Sequence, residues 1–148
     1  MREDIGKRIN CLSTKIKREI SNLDSISKLD NVSGANSFIM LYIYKNSDKN
    51  IYQKDIENEF GITRSTASNI ISLMEKKNFV IRENVDSDLR LKRLVLSSEA
   101  IKYCEDFLND LKSLNLDLCD GISDEELSNF IITLSKIESN LKRRQEKW

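Results

Sequence analysis

The stretch that decides the fold spans residues 61–96 and reads GITRSTASNIISLMEKKNFVIRENVDSDLRLKRLVL. Gly61 can adopt the left-handed conformation that ends a helix. Thr63 then offers the hydroxyl with which an N-cap accepts a hydrogen bond from a free backbone N–H group. These two residues therefore predict the end of one helix and the start of another, joined by a tight turn.

The helix predicted after Thr63 has two chemically different faces. Its apolar residues recur at i, i+3, i+4 and i+7, which places them in one stripe: Ala67, Ile70, Ile71 and Met74. The opposite face is mostly short, polar and uncharged: Arg64, Ser65, Ser68, Asn69 and Ser72. A face that meets only water more often carries Glu/Lys pairs. This one is suited to a partner that offers hydrogen-bonding edges.

Two strands are predicted after this helix. Asn78 can supply a left-handed C-cap, and residues 79–81 have the composition of a short strand. A charged, turn-prone run at residues 82–90 leads to a second strand at residues 93–97. Helix, strand, polar loop and strand in this order predict a winged helix-turn-helix.

Composition indicates one soluble domain of mainly α structure. The chain has 148 residues, of which 39% are hydrophobic, with no proline and four glycines. Low proline and glycine content favours long helices. The longest apolar run, residues 38–44, is far shorter than the roughly 20 residues of a membrane span. The mixed charge of the first four residues, with no apolar run after them, predicts no secretory signal.

Cysteine and histidine usage predicts a reduced cytoplasmic protein without a metal, a cofactor or enzyme activity. The chain has no histidine, and its three cysteines, Cys11, Cys104 and Cys119, lack metal-ligand spacing. It also has no glycine-rich phosphate loop, and its carboxylates are scattered along amphipathic segments. We expect all three cysteines to be small buried apolar side chains.

Charge is distributed unevenly although the net charge is zero. Residues 62–96 contain seven Lys/Arg and four Asp/Glu residues, a net charge of +3. Residues 97–148 contain seven Lys/Arg and eleven Asp/Glu residues, a net charge of −4. Positive charge is therefore concentrated on the predicted winged unit, which favours a nucleic-acid partner.

The N-terminal half is predicted to hold three helices before Thr63. A long amphipathic helix is predicted over residues 3–29, and a second, apolar nearly all round and centrally buried, over residues 36–45. Ile51 is a candidate for a brief third strand. Residues 53–60 predict a short helix whose Ile56 and Phe60 face inward.

The C-terminal half is predicted to hold two long helices. Ser97 or Ser98 can cap a helix that extends to about residue 118 and ends at Gly121. Ser123 and Glu126 then have the spacing of a capping box, which starts a last helix with a basic end.

Three segments together resemble the MarR-type transcriptional regulators. They are IYQKDIENEFGIT at residues 51–63, TRSTASNIISLMEKKNFVIRE at residues 63–83 and DSDLRLKRLVLSSEA at residues 86–100. The resemblance implies one MarR-like domain over residues 1–148. Within it, residues 36–97 would form the winged helix-turn-helix, and residues 1–30 and 98–148 would form dimerisation helices. Asn78 and Ala100 stand where the family often has Gly, and Asn69 and Leu73 where many members have basic residues.

The resemblance further implies a cytoplasmic homodimer that binds a pseudo-palindromic operator in double-stranded DNA and represses transcription. The candidate DNA-binding residues are Thr63, Arg64, Ser65, Thr66, Ser68, Asn69, Lys76, Asp88, Arg90 and Lys92. Arg90 would reach the minor groove while Asp88 steadies it. The competing interpretations are a solvated helix face and a surface ion pair of little energetic value.

Regulation and partners leave alternatives open. An aromatic or amphiphilic effector would bind in a pocket and thereby cause the protein to release DNA. The pocket would be walled by Leu12, Ile16, Phe38, Tyr42 and Ile101. The same residues could instead simply fill the core. One branch of the family senses hydroperoxides through a cysteine placed like Cys11. The sequence neighbours of Cys11 offer nothing obvious to lower the thiol pKa. A winged-helix dimer used for protein–protein interaction is the alternative function.

Overall fold

A computed structural model describes residues 4–27, 34–85 and 88–145 of the chain. In this part the chain forms seven helices and one antiparallel two-stranded sheet: α1 Ile5–Ser21, α2 Asp24–Ser27, α3 Gly34–Lys45, α4 Gln53–Phe60, α5 Arg64–Lys76, β1 Val80–Val85, β2 Asp88–Leu96, α6 Ser98–Cys119 and α7 Asp124–Gln145. The predicted mainly α fold with a winged helix-turn-helix is confirmed. The chain divides into two compact units, Met1–Leu111 and Lys112–Trp148. The predicted domain boundaries stay a prediction.

The core of the first unit is built around α3. Met40 is fully buried, and Ile39, Leu41 and Ile43 are almost fully buried, because this helix is apolar on nearly every side. The inward faces of the next two helices complete the core with Ile56, Ala67, Ile71 and Met74. The predicted central burial of the second helix is therefore confirmed.

The predicted single helix at residues 3–29 is wrong in its length. α1 ends at Ser21, where the Asn22 N–H donates to the carbonyls of Glu19 and Ile20, and α2 begins at Asp24. The Asp110 carboxylate accepts a hydrogen bond from the backbone N–H of Ser25 at 2.8 Å. This tertiary contact stabilises the start of α2, and a periodicity argument cannot detect a partner 85 residues away. Residues 28 and 29 lie outside the described residues.

The predicted loop at residues 82–90 is also wrong, because most of it is strand. β1 continues to Val85, and β2 begins at Asp88, with an irregularity in register between Asn84 and Val85. The charged residues that suggested a loop pair across the ribbon. The Glu83 carboxylate accepts from Arg93 Nε at 2.9 Å, and Lys92 donates to the Asn84 side chain. Cross-strand pairs of opposite or complementary polarity stabilise an exposed hairpin.

The predicted third strand at Ile51 is reduced to a single bridge. The Ile51 carbonyl accepts from the backbone N–H of Leu94 at 2.7 Å, and Tyr52 pairs with Arg93 as an isolated bridge. Ile51 is itself buried. The contact fixes the base of the hairpin against the connection between α3 and α4.

The boundaries of the two C-terminal helices agree with their predicted caps. The Ser97 hydroxyl accepts from the Ala100 N–H at 3.2 Å, and Gly121 has a positive φ of 73°. Before α7, the Ser123 N–H and hydroxyl donate to Glu126 Oε2 at 2.9 and 2.7 Å. These hydrogen bonds hold the pKa of Glu126 below its ordinary value. The capping box is confirmed.

Large apolar side chains remain exposed on α1 and α7, and some also on α5 and α6. On α1 they are Ile5, Ile9 and Leu12, and on α7 they are Phe130, Ile131, Ile132 and Leu141. Among the described helices, none combines the length and the apolar character that crossing a bilayer requires.

Candidate nucleic-acid interface

The helix α5 is fixed at both ends by residues in its own sequence neighbourhood. Gly61 has a φ of 59°, and Thr63 Oγ1 accepts from the Thr66 N–H at 3.2 Å. At the other end Asn78 also has a φ of 59°, and the Phe79 N–H donates to the Met74 carbonyl at 2.9 Å. Both predicted left-handed caps and the predicted N-cap are confirmed.

The burial of α5 decides which face is presented outward. Ala67, Ile71 and Met74 are buried, so the helix cannot rotate without exposing them. The predicted DNA-contacting side chains therefore lie on the accessible side: Arg64, Ser65, Thr66 and Asn69 are exposed, and Ser68 is half-buried. The helix thus offers one basic group and several short hydroxyl and amide groups to a partner.

Thr63 has a structural part in this arrangement. Its hydroxyl lies 3.0 Å from the Ser65 hydroxyl and 2.9 Å from the Thr66 hydroxyl, besides accepting from the Thr66 N–H. Three short polar side chains at the start of α5 are therefore held in a fixed cluster. The cluster is exposed at the N-terminal end of α5. In helix-turn-helix proteins, the N-terminal residues of the recognition helix contact base edges in the major groove.

The remaining predicted contacts are on or near the hairpin. Lys76 is exposed in the last turn of α5, and Lys92 is exposed on β2, where it donates to the Asn84 side chain. Asp88 and Arg90 belong to β2 by their backbone. Their side chains lie outside the part of the chain that the structure describes, so their predicted roles stay predictions.

A groove of about 490 Å³ separates the hairpin from the helix-turn-helix, and we call it the wing groove. It is lined by Tyr52, Gln53, Lys54, Glu57, Arg64, Arg82, Leu91, Lys92 and Leu94. Four of these side chains are cationic and one is acidic. Sequence reasoning missed two of the cations, Lys54 and Arg82. Lys54 lies in the first turn of α4, and Arg82 belongs to the run that the sequence predicts as a loop.

Two of the five residues of the predicted effector pocket line separate cavities, and the pocket stays a prediction. Phe38 lines an apolar cavity of about 500 Å³, with Lys17, Ile20, Ile39, Phe60, Ile62 and Ile70. Ile101 lines a different crevice, of about 280 Å³, beside Leu94 and Leu96. Leu12 is exposed, Ile16 is half-buried, and Tyr42 packs edge-on against Phe60 with ring centroids 5.9 Å apart. Desolvation raises the pKa of Tyr42, and the nearby Glu59 and Asp55 raise it further.

The three cysteines lie in different environments. Cys104 is fully buried, and burial raises the pKa of its thiol to about 12, so it is an inert apolar residue as expected. Cys119 is half-buried. The expectation that Cys11 is buried is wrong, because the N-terminal part of α1 is not covered within the chain and Cys11 is exposed. Among the described residues, no three His, Cys, Asp or Glu side chains gather as a metal site.

Comparison with known proteins finds a sequence similarity in the middle of the chain. The sequence pattern of the MarR family matches residues 30–91, which contain the helix-turn-helix and most of the hairpin.

Solved structures extend the similarity to nearly the whole chain. The transcription regulator MarR from Oenococcus oeni PSU-1 is 26% identical with a TM-score of 0.76, over 92% of this chain and 99% of that one. The heme sensor PefR from Streptococcus agalactiae, solved with heme, is 25% identical with a TM-score of 0.63, over 95% of both chains. MepR from S. aureus, solved with DNA, is 23% identical with a TM-score of 0.83, over 93% and 97%.

Proposed function

We propose that this chain belongs to the MarR family of winged-helix proteins and is a transcriptional regulator that binds double-stranded DNA. The observation that carries the proposal is the orientation of α5. Its apolar stripe is buried and both its ends are capped, so its short polar side chains form a rigid exposed face. A rigid helix with such a face fits the major groove, where hydroxyl, amide and guanidinium groups read base edges.

The finer proposal is a homodimer. Phe130 and Leu141 of α7 are 50% and 57% exposed, and Ile5 and Leu12 of α1 are also exposed. Apolar side chains at helical spacing on two separate helices are costly to leave in water, and a second copy of the chain can cover both sets. A two-fold dimer carries two copies of α5, which matches a pseudo-palindromic operator.

We further propose that the dimer is a repressor released by a small effector. The apolar cavity beside Phe38 supports this, because it lies between α1 and the helix-turn-helix and its lining includes one cation, Lys17. A ligand alters DNA affinity only if it favours one arrangement of the two α5 helices over the other. An effector with an apolar body and an acidic group would suit this lining.

A DNA titration tests the proposal. The probe is a labelled duplex from upstream of the protein's own gene, and binding is measured by fluorescence polarisation at several salt concentrations. The logarithm of the binding constant should fall linearly with log[salt]. A scrambled duplex of equal length should bind more weakly. Absence of binding at low salt would overturn the proposal and favour a protein–protein interaction module.

A further inference from the structure

The wing groove points to a more specific role for two residues that sequence reasoning did not select. We propose that this groove seats backbone phosphates of the DNA duplex, with Arg82 as a phosphate-binding residue and Glu75 as the residue that positions it. The inference rests on the proposed DNA-binding function. It adds which side chains hold the backbone and how one of them is oriented.

Charge complementarity selects phosphate as the occupant. The groove is lined by four cationic side chains: Lys54, Arg64, Arg82 and Lys92. The acidic lining residue, Glu57, accepts a hydrogen bond from the Gln53 side-chain amide at 3.0 Å. The groove lies beside the exposed N-terminal face of α5, so a duplex in contact with that face brings its backbone to these cations.

Arg82 is held in place by an ion pair that crosses between elements. Its Nε lies 3.0 Å from Glu75 Oε2, so β1 is tied to the last turns of α5. The Nε atom is buried, whereas the side chain as a whole is 31% exposed and lines the groove. A guanidinium group has five N–H donors in a rigid fork. The Glu75 carboxylate lies against the Nε atom of this fork, and the Arg82 side chain lines the groove.

The ion pair contributes geometry more than stability. Both partners are about one-third exposed, and exposed ion pairs add little to the free energy of unfolding. Its effect is to restrict the rotamers of Arg82 before DNA arrives, which lowers the ordering cost of binding. Without this effect, a carboxylate so close to the DNA backbone would only weaken binding.

The variant Glu75→Gln distinguishes two effects of the Glu75 carboxylate, the positioning of Arg82 and the repulsion of DNA. Removing a negative charge raises the net charge of the protein, so general electrostatics predicts tighter DNA binding. Loss of positioning predicts weaker binding instead. The proposal requires the second result, measured as fluorescence polarisation of the upstream duplex with the full-length protein.

Variants of the cations complete the test. Arg82→Gln should weaken binding roughly tenfold, as loss of a charge-assisted hydrogen bond does. It should also lower the slope of log affinity against log[salt] by about 0.9, the value for one phosphate contact. Arg82→Lys should restore the slope but not the full affinity, because it keeps the charge and loses the fork. Lys54→Gln should lower the slope by a similar amount. Lys102→Gln, an exposed cation on α6, is the matched control.

The outcomes separate the two proposals. If the wild-type protein binds DNA while Arg82→Gln behaves like Lys102→Gln, the groove does not seat phosphate and only this inference fails. If Glu75→Gln binds as tightly as the wild type or more tightly, Glu75 has no positioning role. If Arg82→Gln lowers the melting temperature in proportion to its loss of affinity, Arg82 is structural. If the wild-type protein binds no DNA, the proposed function fails together with the inference.

Discussion

The first unit and the helix α7 use their apolar side chains in opposite ways. Around α3, residues such as Met40, Ile56 and Phe107 are fully buried by neighbours in the same chain. On α7, Phe130, Leu134 and Leu141 recur at helical spacing, but Phe130 and Leu141 stay at least half exposed. The pattern in the sequence is the same in both regions. Amphipathic spacing therefore predicts a helix with an apolar face, and it does not tell whether the same chain covers that face.

The largest expected effect comes from the region that the chain covers by itself. Phe107→Ala removes a fully buried ring that contacts Phe38 edge-on at 5.4 Å and stacks on Tyr103 at 6.0 Å. We expect the free energy of unfolding to fall by about 3–5 kcal/mol, the range for deleting a buried phenyl ring. Chemical denaturation measures this loss. A loss below about 1 kcal/mol would show that the cavity collapses and that the packing around α6 is loose.

A smaller effect of a different kind is expected on α7. Ile131→Asp places a charge on an exposed position, so it should leave the fold of one chain intact while it weakens the proposed dimer about 100-fold. Sedimentation velocity over a range of protein concentrations measures the dissociation. Asn129→Asp adds the same charge to an exposed residue two positions earlier and serves as the control. If the wild-type protein stays monomeric at micromolar concentration, the exposed apolar residues of α7 are not covered by a second copy of the chain.

Thr63→Ala should have a moderate effect on both stability and DNA affinity, because Thr63 is exposed and still caps α5. Loss of the cap on α5 should lower the free energy of unfolding by about 1 kcal/mol. DNA affinity should fall as well, since the Ser65 and Thr66 hydroxyls lose their common partner. Thr63→Ser keeps the hydroxyl and should behave like the wild type in thermal melts and in polarisation. Equal stability of the alanine variant would mean that burial of Ala67 and Ile71 alone fixes the helix.

The smallest expected effect is pH-dependent and belongs to the capping box of α7. The folded-state pKa of Glu126 is lowered by hydrogen bonds from Ser123, so its stabilising contribution is present at neutral pH and is lost as the pH falls through that value. The melting temperature of Glu126→Gln should therefore lie slightly below that of the wild type near neutrality and converge with it in acid. In a Ser123→Ala background the difference should largely vanish. A difference that widens toward low pH would contradict this sign.

What the sequence could predict depends on the distance to the residue that decides each feature. The caps of α5 and α7 are local, so Thr63 and Asn78 predict the boundaries of α5, and Ser123 and Glu126 predict the start of α7. The start of α2 is stabilised by Asp110, and the strand character near Glu83 depends on its pairing with Arg93, so neither was visible in a local window. The wing groove escaped for the same reason, since its cations come from α4, α5 and both strands.

Two long-range hydrogen bonds join segments that are made at very different times. Asp110 accepts from the Ser25 N–H, and the hydroxyls of Ser37 and Tyr103 lie 2.5 Å apart, so the partners are 85 and 66 residues away from each other in the chain. During synthesis, α1 to α3 leave the ribosome well before α6 exists. The contacts within the helix-turn-helix and hairpin need only short chain loops to close. The two long-range hydrogen bonds can form only when a much longer loop closes. The start of α2 therefore gains this contact only after translation has produced α6.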